Sequence, residues 1–129
     1  MALELEGLTG EINAAAFAVH NELGPGFLES IYEEAMALEL EGRGLRFERQ
    51  KKIPVFFRGV QVGEHVLDLV VEGKVVVELK SAEALHPIHR TILLSYLQAT
   101  GLRVGLLLNF RAARVEHKRY LNKWARQCL

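Results

Sequence analysis

Two short apolar segments that carry charged residues at one end constrain the fold of this chain most strongly. They cover residues 67–71 and 75–80, and their charged side chains are Asp68, Glu78 and Lys80. Burying such charges is costly unless they are paired or bind a metal. Gly73 lies between the segments and indicates a turn, so the sequence predicts a β-hairpin that brings the three charged side chains together.

The turn of this hairpin decides whether Asp68 shares a face with Glu78. A two-residue turn would put Asp68 on the opposite face and would require a positive φ at Glu72, where Asn, Asp or Gly is preferred. A three-residue loop with Gly73 in the left-handed conformation places Asp68 opposite Val76. Asp68 is then diagonal to Glu78, at about 7–8 Å. We predict this second register, which suits two carboxylates that share one hard cation.

The other elements follow from periodicity and from Gly and Pro. Four helices are predicted, with Thr9 as the cap of the first: residues 9–23, about 28–42, 87–100 and 118–127. Extended structure is predicted at residues 46–50 and 53–57, then a strand at 60–63 that leads into the Asp68 segment, and further strands at 75–80 and 104–110. The order is helix, helix, three strands in a meander, helix, strand and helix, which belongs to the α/β (α+β) class.

Composition limits the class of protein. The chain has 129 residues, which predicts one domain, 1–129. Its 16 basic and 16 acidic residues give zero net charge, which argues against permanent residence on nucleic acid but permits transient contact. The single cysteine, Cys128, excludes a disulfide framework. We recognise no apolar run of membrane-spanning length and no signal peptide, so we expect a cytoplasmic protein without a membrane partner.

The segment Gly-Phe-Leu-Glu-Ser-Ile-Tyr at residues 26–32 is similar to the motif of the GxxExxY proteins, a branch of the PD-(D/E)XK nuclease superfamily. The resemblance extends over residues 8–110 and includes Asp68 and the triplet at residues 78–80. It implies a restriction-endonuclease-like core, a small mixed β-sheet of about four to five strands flanked by helices. One position departs from related nucleases, which commonly carry Gln four residues before the tyrosine. Here that position, before Tyr96, is Ile92.

The resemblance also implies a chemistry, namely metal-dependent phosphodiester hydrolysis of DNA or RNA. The expected cofactor is Mg²⁺ or Mn²⁺, because these ions prefer carboxylate and carbonyl oxygens. The expected catalytic residues are Asp68, Glu78, Lys80 and Glu29, and the expected metal ligands are Asp68, Glu78, Leu79 through its carbonyl, and Glu29. Lys80 would orient the attacking water or help to deprotonate it. Accessory roles are assigned to Tyr32, Tyr96 and His89.

Two other functions are compatible with the sequence. The first is a non-catalytic nucleic-acid- or protein-binding module, favoured by Ile92 and the zero net charge, in which the charged cluster is a structural ion pair at a sheet edge. The second is a homodimer-forming interaction protein, with residues 104–110 or the helix containing Trp124 as the contact surface. Fold alone does not decide among these functions.

Overall fold

The computed structural model describes residues 5–123, which form three helices and five strands. The helices are α1 (Glu6–Leu23), α2 (Glu29–Gly42) and α3 (Pro87–Thr100). The strands are β1 (Phe47–Phe57), β2 (Val60–Val71), β3 (Val75–Lys80), β4 (Val104–Asn109) and β5 (Glu116–Leu121). They form one sheet in the order β1-β2-β3-β4-β5, in which β3 and β4 are parallel and the other neighbours antiparallel. The predicted α+β architecture with a small mixed sheet is therefore confirmed.

Helices cover both faces of the sheet. The buried cluster under α1 and α2 includes Val77 and Leu79 of β3, whereas Val76 belongs to the cluster under α3. Because side chains alternate along a strand, Glu78 and Lys80 lie on the same side as Val76, toward α3. Within residues 5–123, no helix is both long enough and apolar enough to cross a membrane.

Glycine and proline set the ends of the helices around the site. Pro87 occupies the first turn of α3, and Gly101 ends this helix with a φ of 74°, both as predicted. The predicted cap of the first helix was wrong. That helix begins at Glu6, and Thr9 lies inside it, with its hydroxyl donating a hydrogen bond to the Glu6 carbonyl at 3.2 Å.

Residues 46–50 and 53–57, predicted as extended, belong to one strand, β1, which passes through Gln50 at a φ of 48°. Two other predictions need correction. The predicted terminal helix is strand β5 in its described part, because the edge of β4 offers backbone hydrogen bonds that outweigh a local apolar spacing. Its residues 124–127, including Trp124, lie outside the described part of the chain. β4 itself is buried between β3 and β5 and offers no surface for a dimer contact.

Gly105 in β4 determines how closely α3 approaches the sheet. A Cβ atom at this position would lie 3.0, 3.1 and 3.2 Å from three carbon atoms of the Leu93 side chain. Leu93 therefore packs directly on the backbone of the strand. This close approach also brings His89 and Tyr96 of the same helix toward the sheet.

Candidate active site

The β2–β3 hairpin brings Asp68 and Glu78 together where its strand pairing ends. Its register pairs Val70 with Val76 and Leu69 with Val77, and the backbone pairing stops there, so Asp68 and Glu78 are the first residues beyond it. The predicted register, with Asp68 opposite Val76, was therefore wrong by two residues. The two side chains are nevertheless close, because Glu78 Oε1 lies 3.4 Å from the backbone N–H of Asp68.

The loop of the hairpin explains this difference. Glu72 and Gly73 have φ values of 55° and 64°, and the Lys74 N–H donates to the Val71 carbonyl at 3.0 Å. Turn preferences disfavour Glu72 in this conformation. Arg46 stabilises it, because the Glu72 N–H donates to the Arg46 carbonyl at 2.8 Å and the Glu72 carboxylate accepts from the Arg46 N–H.

The carboxylate of Asp68 is oriented by the backbone of the opposite strand. The Leu79 N–H donates to Asp68 Oδ2 at 2.9 Å, and the Asp68 N–H donates to Glu78 Oε1 at 3.4 Å. Burial raises the pKa of Asp68, the Leu79 hydrogen bond lowers it, and the negative charge of Glu33 raises it further. Asp68 is therefore a partly buried carboxylate with one oxygen fixed in place.

Glu78 is 5% exposed and lies in an excess of negative charge. Burial, followed by repulsion from Asp68, raises the pKa of Glu78 to about 8. Lys80 opposes this effect, and its Nζ atom lies 3.9 Å from Glu78 Oε2. One lysine beside two partly buried carboxylates leaves a site that favours a further cation.

Glu29 approaches the same place from the start of α2. Its carboxylate accepts a hydrogen bond from the Ser81 N–H at 3.2 Å, and Ser81 Oγ donates to the Phe27 carbonyl at 2.9 Å. Glu29 lines an open cavity of about 680 Å³ together with Asp68 and Leu79. The two hydrogen bonds of Ser81 therefore dock the loop between α1 and α2 onto the end of β3.

Tyr32 lies in the core rather than at the site. It is fully buried, its hydroxyl donates to the Gly24 carbonyl at 2.5 Å, and the Phe27 N–H donates to the same hydroxyl at 3.3 Å. Its ring stacks on Phe110, with ring centroids 4.4 Å apart. Tyr32 therefore holds the loop that precedes Glu29.

The two accessory candidates on α3 lie near the charged cluster. Burial, followed by the charges of Glu78 and Asp68, raises the pKa of Tyr96. Burial, followed by the charge of Lys80, lowers the pKa of His89. His89 Nδ1 also accepts a hydrogen bond from the backbone of the residue at the helix cap, at 3.1 Å. The His89 imidazole and the Tyr96 phenol thus lie on the α3 side of the site, and the charged residues of the site shift the pKa of each.

Two site residues were missed from the sequence. Glu33 is buried beneath the cavity, where it accepts hydrogen bonds from Arg49 at 2.9 and 3.1 Å and from the Gln50 amide. Gln50 lines the cavity with Asp68. Glu33 follows Glu29 by four residues, so both lie on one face of α2, and this spacing could have identified it.

His65 is a further residue on the α3 side of the site. Its odd offset from Asp68 predicts the opposite face, but the alternation of β2 is interrupted, since Leu67 packs under α3 and Leu69 under α1 and α2. The His65 and Tyr96 ring centroids are 4.7 Å apart. The interruption at Asp68 is therefore what brings His65 against the wall formed by α3.

The oxygen atoms of the site suit a hard divalent cation only in part. No group of three or more His, Cys, Asp or Glu side chains in residues 5–123 is arranged to hold a metal by itself. Mg²⁺ usually keeps several waters and takes about one or two protein carboxylates together with substrate phosphates. Asp68, Glu78 and the Leu79 carbonyl fit an ion of this kind, with water and substrate completing its coordination.

Comparisons with known proteins identify the superfamily of the chain and a similar fold. A family model described as the PD-(D/E)XK nuclease superfamily matches residues 6–120. The fold is similar to the crystal structure of an alkaline exonuclease from Laribacter hongkongensis, with a TM-score of 0.56 and 12% sequence identity. This similarity covers 90% of the chain and 71% of the exonuclease chain. No curated protein sequence matches the chain.

Proposed function

The chain belongs to the PD-(D/E)XK nuclease superfamily, and we propose that it is a metal-dependent nuclease that hydrolyses phosphodiester bonds of DNA or RNA. The observation that carries this proposal is the proximity of Asp68 and Glu78 at the end of the hairpin, where Glu78 Oε1 accepts from the Asp68 N–H and Lys80 lies beside Glu78. Two carboxylates that repel each other in a partly buried place are stabilised by a divalent cation. Asp68 and Leu79 also line an open cavity that can admit a phosphate.

Each residue of the site has a separate task in this proposal. A Mg²⁺ or Mn²⁺ ion held by Asp68, Glu78 and the Leu79 carbonyl would neutralise phosphate charge and acidify water. The Leu79 N–H fixes the Asp68 carboxylate, so this ligand needs no reorganisation during the reaction. Lys80 orients the attacking water and helps to remove its proton. Glu29, hydrogen-bonded to the backbone after β3, orients water at the outer side of the site.

We further propose that the chain belongs to the GxxExxY branch of the superfamily. The glycine, glutamate and tyrosine that define this motif correspond here to Gly26, Glu29 and Tyr32. Gly26 has a φ of 105°, which favours glycine, and Tyr32 closes the loop around it through the Gly24 carbonyl. These contacts give the motif a physical purpose, because they hold Glu29 against the end of β3.

The second candidate function is a binding module that keeps the scaffold without turnover, alone or as a homodimer. Ile92 favours it, because an apolar side chain on α3 takes the place of the glutamine that related nucleases commonly carry. Salt-sensitive retention of nucleic acid without cleavage would support this alternative over the nuclease. Sedimentation of the purified chain tests the homodimer directly, and a monomer at high concentration would exclude it.

Cleavage of labelled single- and double-stranded DNA and RNA tests the leading proposal. Assays with Mn²⁺, with Mg²⁺ and with a chelator would be run on the wild type, on Glu78→Gln and on Glu64→Gln, a control at an exposed position of β2. We expect metal-dependent cleavage by the wild type and the control, and none by Glu78→Gln. Full activity of Glu78→Gln, or activity in the chelator, would contradict the proposal.

A further inference from the structure

We propose that a second cavity, next to the proposed metal site, binds an unpaired nucleobase of the substrate on the exposed face of Phe27. This inference rests on the proposed nuclease function and specifies its substrate class as nucleic acid with a single-stranded nucleotide beside the scissile phosphate. The cavity has a volume of about 650 Å³. Phe27 and Leu28 line one side, and Arg111 and Ser81 are among its other lining residues.

Phe27 combines exposure with a fixed position. Its side chain is 41% exposed, and its ring packs edge-to-face on Tyr32 with centroids 6.1 Å apart. Its backbone is held at both ends, because its N–H donates to the Tyr32 hydroxyl and its carbonyl accepts from Ser81 Oγ. An aromatic ring that is already immobilised loses little conformational entropy when a base stacks on it.

The surroundings of Phe27 match a nucleotide rather than a purely apolar ligand. Leu28, 71% exposed, lines the same cavity and adds apolar surface beside the ring. Arg111 supplies a positive charge, and its 3.7 Å ion pair with Glu83 joins side chains that are 47% and 88% exposed. Exposed pairs of this kind contribute little, so a phosphate can replace Glu83 as the partner of Arg111.

The position of the cavity relates it to the proposed reaction. Glu29 and Ser30 line both this cavity and the one that contains Asp68 and Leu79, so the two adjoin at the start of α2. A strand whose phosphate lies at the carboxylates therefore places a neighbouring nucleotide over Phe27. The bases of a duplex are stacked on each other, and a base becomes available to a protein ring only when it is unstacked.

Oligonucleotide binding by the 129-residue chain tests this inference. Fluorescence anisotropy in a chelator would compare a single strand, the same strand with one abasic position, and a blunt duplex. The proteins would be the wild type, Phe27→Ala, Phe27→Trp, and Leu38→Ala as a control at an exposed position elsewhere on α2. Urea unfolding of each variant would establish that it folds.

We expect the wild type to prefer the single strand over the duplex. Phe27→Ala should bind the single strand about tenfold more weakly, a loss typical of one base–aromatic stack, whereas Phe27→Trp and Leu38→Ala should bind it normally. The wild type should bind the abasic strand more weakly than the intact strand, whereas Phe27→Ala should bind the two strands equally. The inference would be overturned if Phe27→Ala bound the single strand as tightly as the wild type does. It would also be overturned if the substitution weakened binding of the single strand and of the duplex by the same factor.

A parallel cleavage assay with Mn²⁺ separates this inference from the proposed function. Wild-type cleavage with no effect of Phe27→Ala on single-strand binding would overturn the base site alone. Phe27-dependent binding without cleavage of any substrate would support the base site and overturn the nuclease. Arg111→Gln should weaken intact and abasic strands equally and reduce the salt dependence of binding, because it removes a phosphate contact rather than a base contact.

Discussion

The backbone N–H of Leu79 donates a 2.9 Å hydrogen bond to the carboxylate of Asp68, eleven positions earlier in the chain. Leu79 is also the residue whose carbonyl we propose as a metal ligand. The N–H of Leu79 thus orients the Asp68 carboxylate, and in our proposal the carbonyl of the same residue would donate an oxygen to the metal. Asp68 therefore has a structural contact in addition to its proposed chemical role, and substitutions must separate the two.

Asp68→Asn and Asp68→Ala separate them. Both variants should lose metal-dependent cleavage, because both lack the carboxylate charge. The Asn amide oxygen can still accept the Leu79 N–H, whereas Ala leaves that donor unpaired, so Asp68→Ala should be less stable than Asp68→Asn by about 1–3 kcal/mol. Urea unfolding measures this difference. Equal stability of the two variants would show that the hydrogen bond contributes nothing.

The stability of the metal-free protein should fall with rising pH. Burial and Asp68 raise the pKa of Glu78 from 4.5 to about 8. Between these values the folded state holds a proton that the unfolded state has released, so the free energy of unfolding decreases as pH rises and levels off above about pH 8. Urea unfolding in a chelator at several pH values measures the slope. Glu78→Gln should reduce this slope. An unchanged slope in that variant would show that a group other than Glu78 causes the pH dependence of stability.

Metal binding should show the complementary pH dependence. Glu78 must lose its proton to act as a ligand, so Mn²⁺ affinity should increase with pH up to about 8, and binding at neutral pH should release a proton. Calorimetric titration in two buffers with different ionisation enthalpies counts the released protons. An affinity that does not change with pH would argue against Glu78 as a ligand.

Lys80→Ala should reduce turnover while sparing the metal. The lysine is proposed to act on water and phosphate, and loss of such a group typically lowers kcat by about 10²–10³-fold. Its charge lowers the pKa of Glu78, so its removal should also shift the pH dependence of Mn²⁺ binding to higher pH. Cleavage rates and calorimetry give the two results. Loss of all Mn²⁺ binding at high pH would instead show that Lys80 is needed to hold the metal ligands in position.

Tyr32→Phe should destabilise the chain and loosen the loop before α2. The variant loses the hydrogen bond to the Gly24 carbonyl and the acceptor for the Phe27 N–H, at a cost of about 1–2 kcal/mol. Urea unfolding measures the cost, and faster amide exchange at Phe27 would show where it arises. Tyr96→Phe is the matched control on α3. A larger effect of the control would contradict the assignment.

Much of the site was predictable because its signals are local. Asp68 and the triplet at residues 78–80 lie near the ends of apolar segments, and Pro87 and Gly101 bound the helix that covers them. A Gly-Pro-Gly sequence likewise separates the first two helices. Each of these signals lies within a few residues of the element that it predicts.

The errors arose where distant parts of the chain decide the local structure. The register of the hairpin depends on Glu72 at positive φ, which Arg46 supports from 26 positions away. β5 replaced a predicted helix because β4 offered it an edge. Glu33 became part of the site because β1 returns Arg49 and Gln50 to it, and such pairings cannot be obtained from propensity or periodicity.

Gly105 makes the spacing between α3 and the sheet a property of the backbone. Alanine at this position would bring a methyl group to 3.0–3.2 Å from Leu93, which would have to shift by a few tenths of an ångström. His89 and Tyr96 lie on the same helix as Leu93. The position of these two side chains beside the charged cluster therefore depends on a residue that has no side chain of its own.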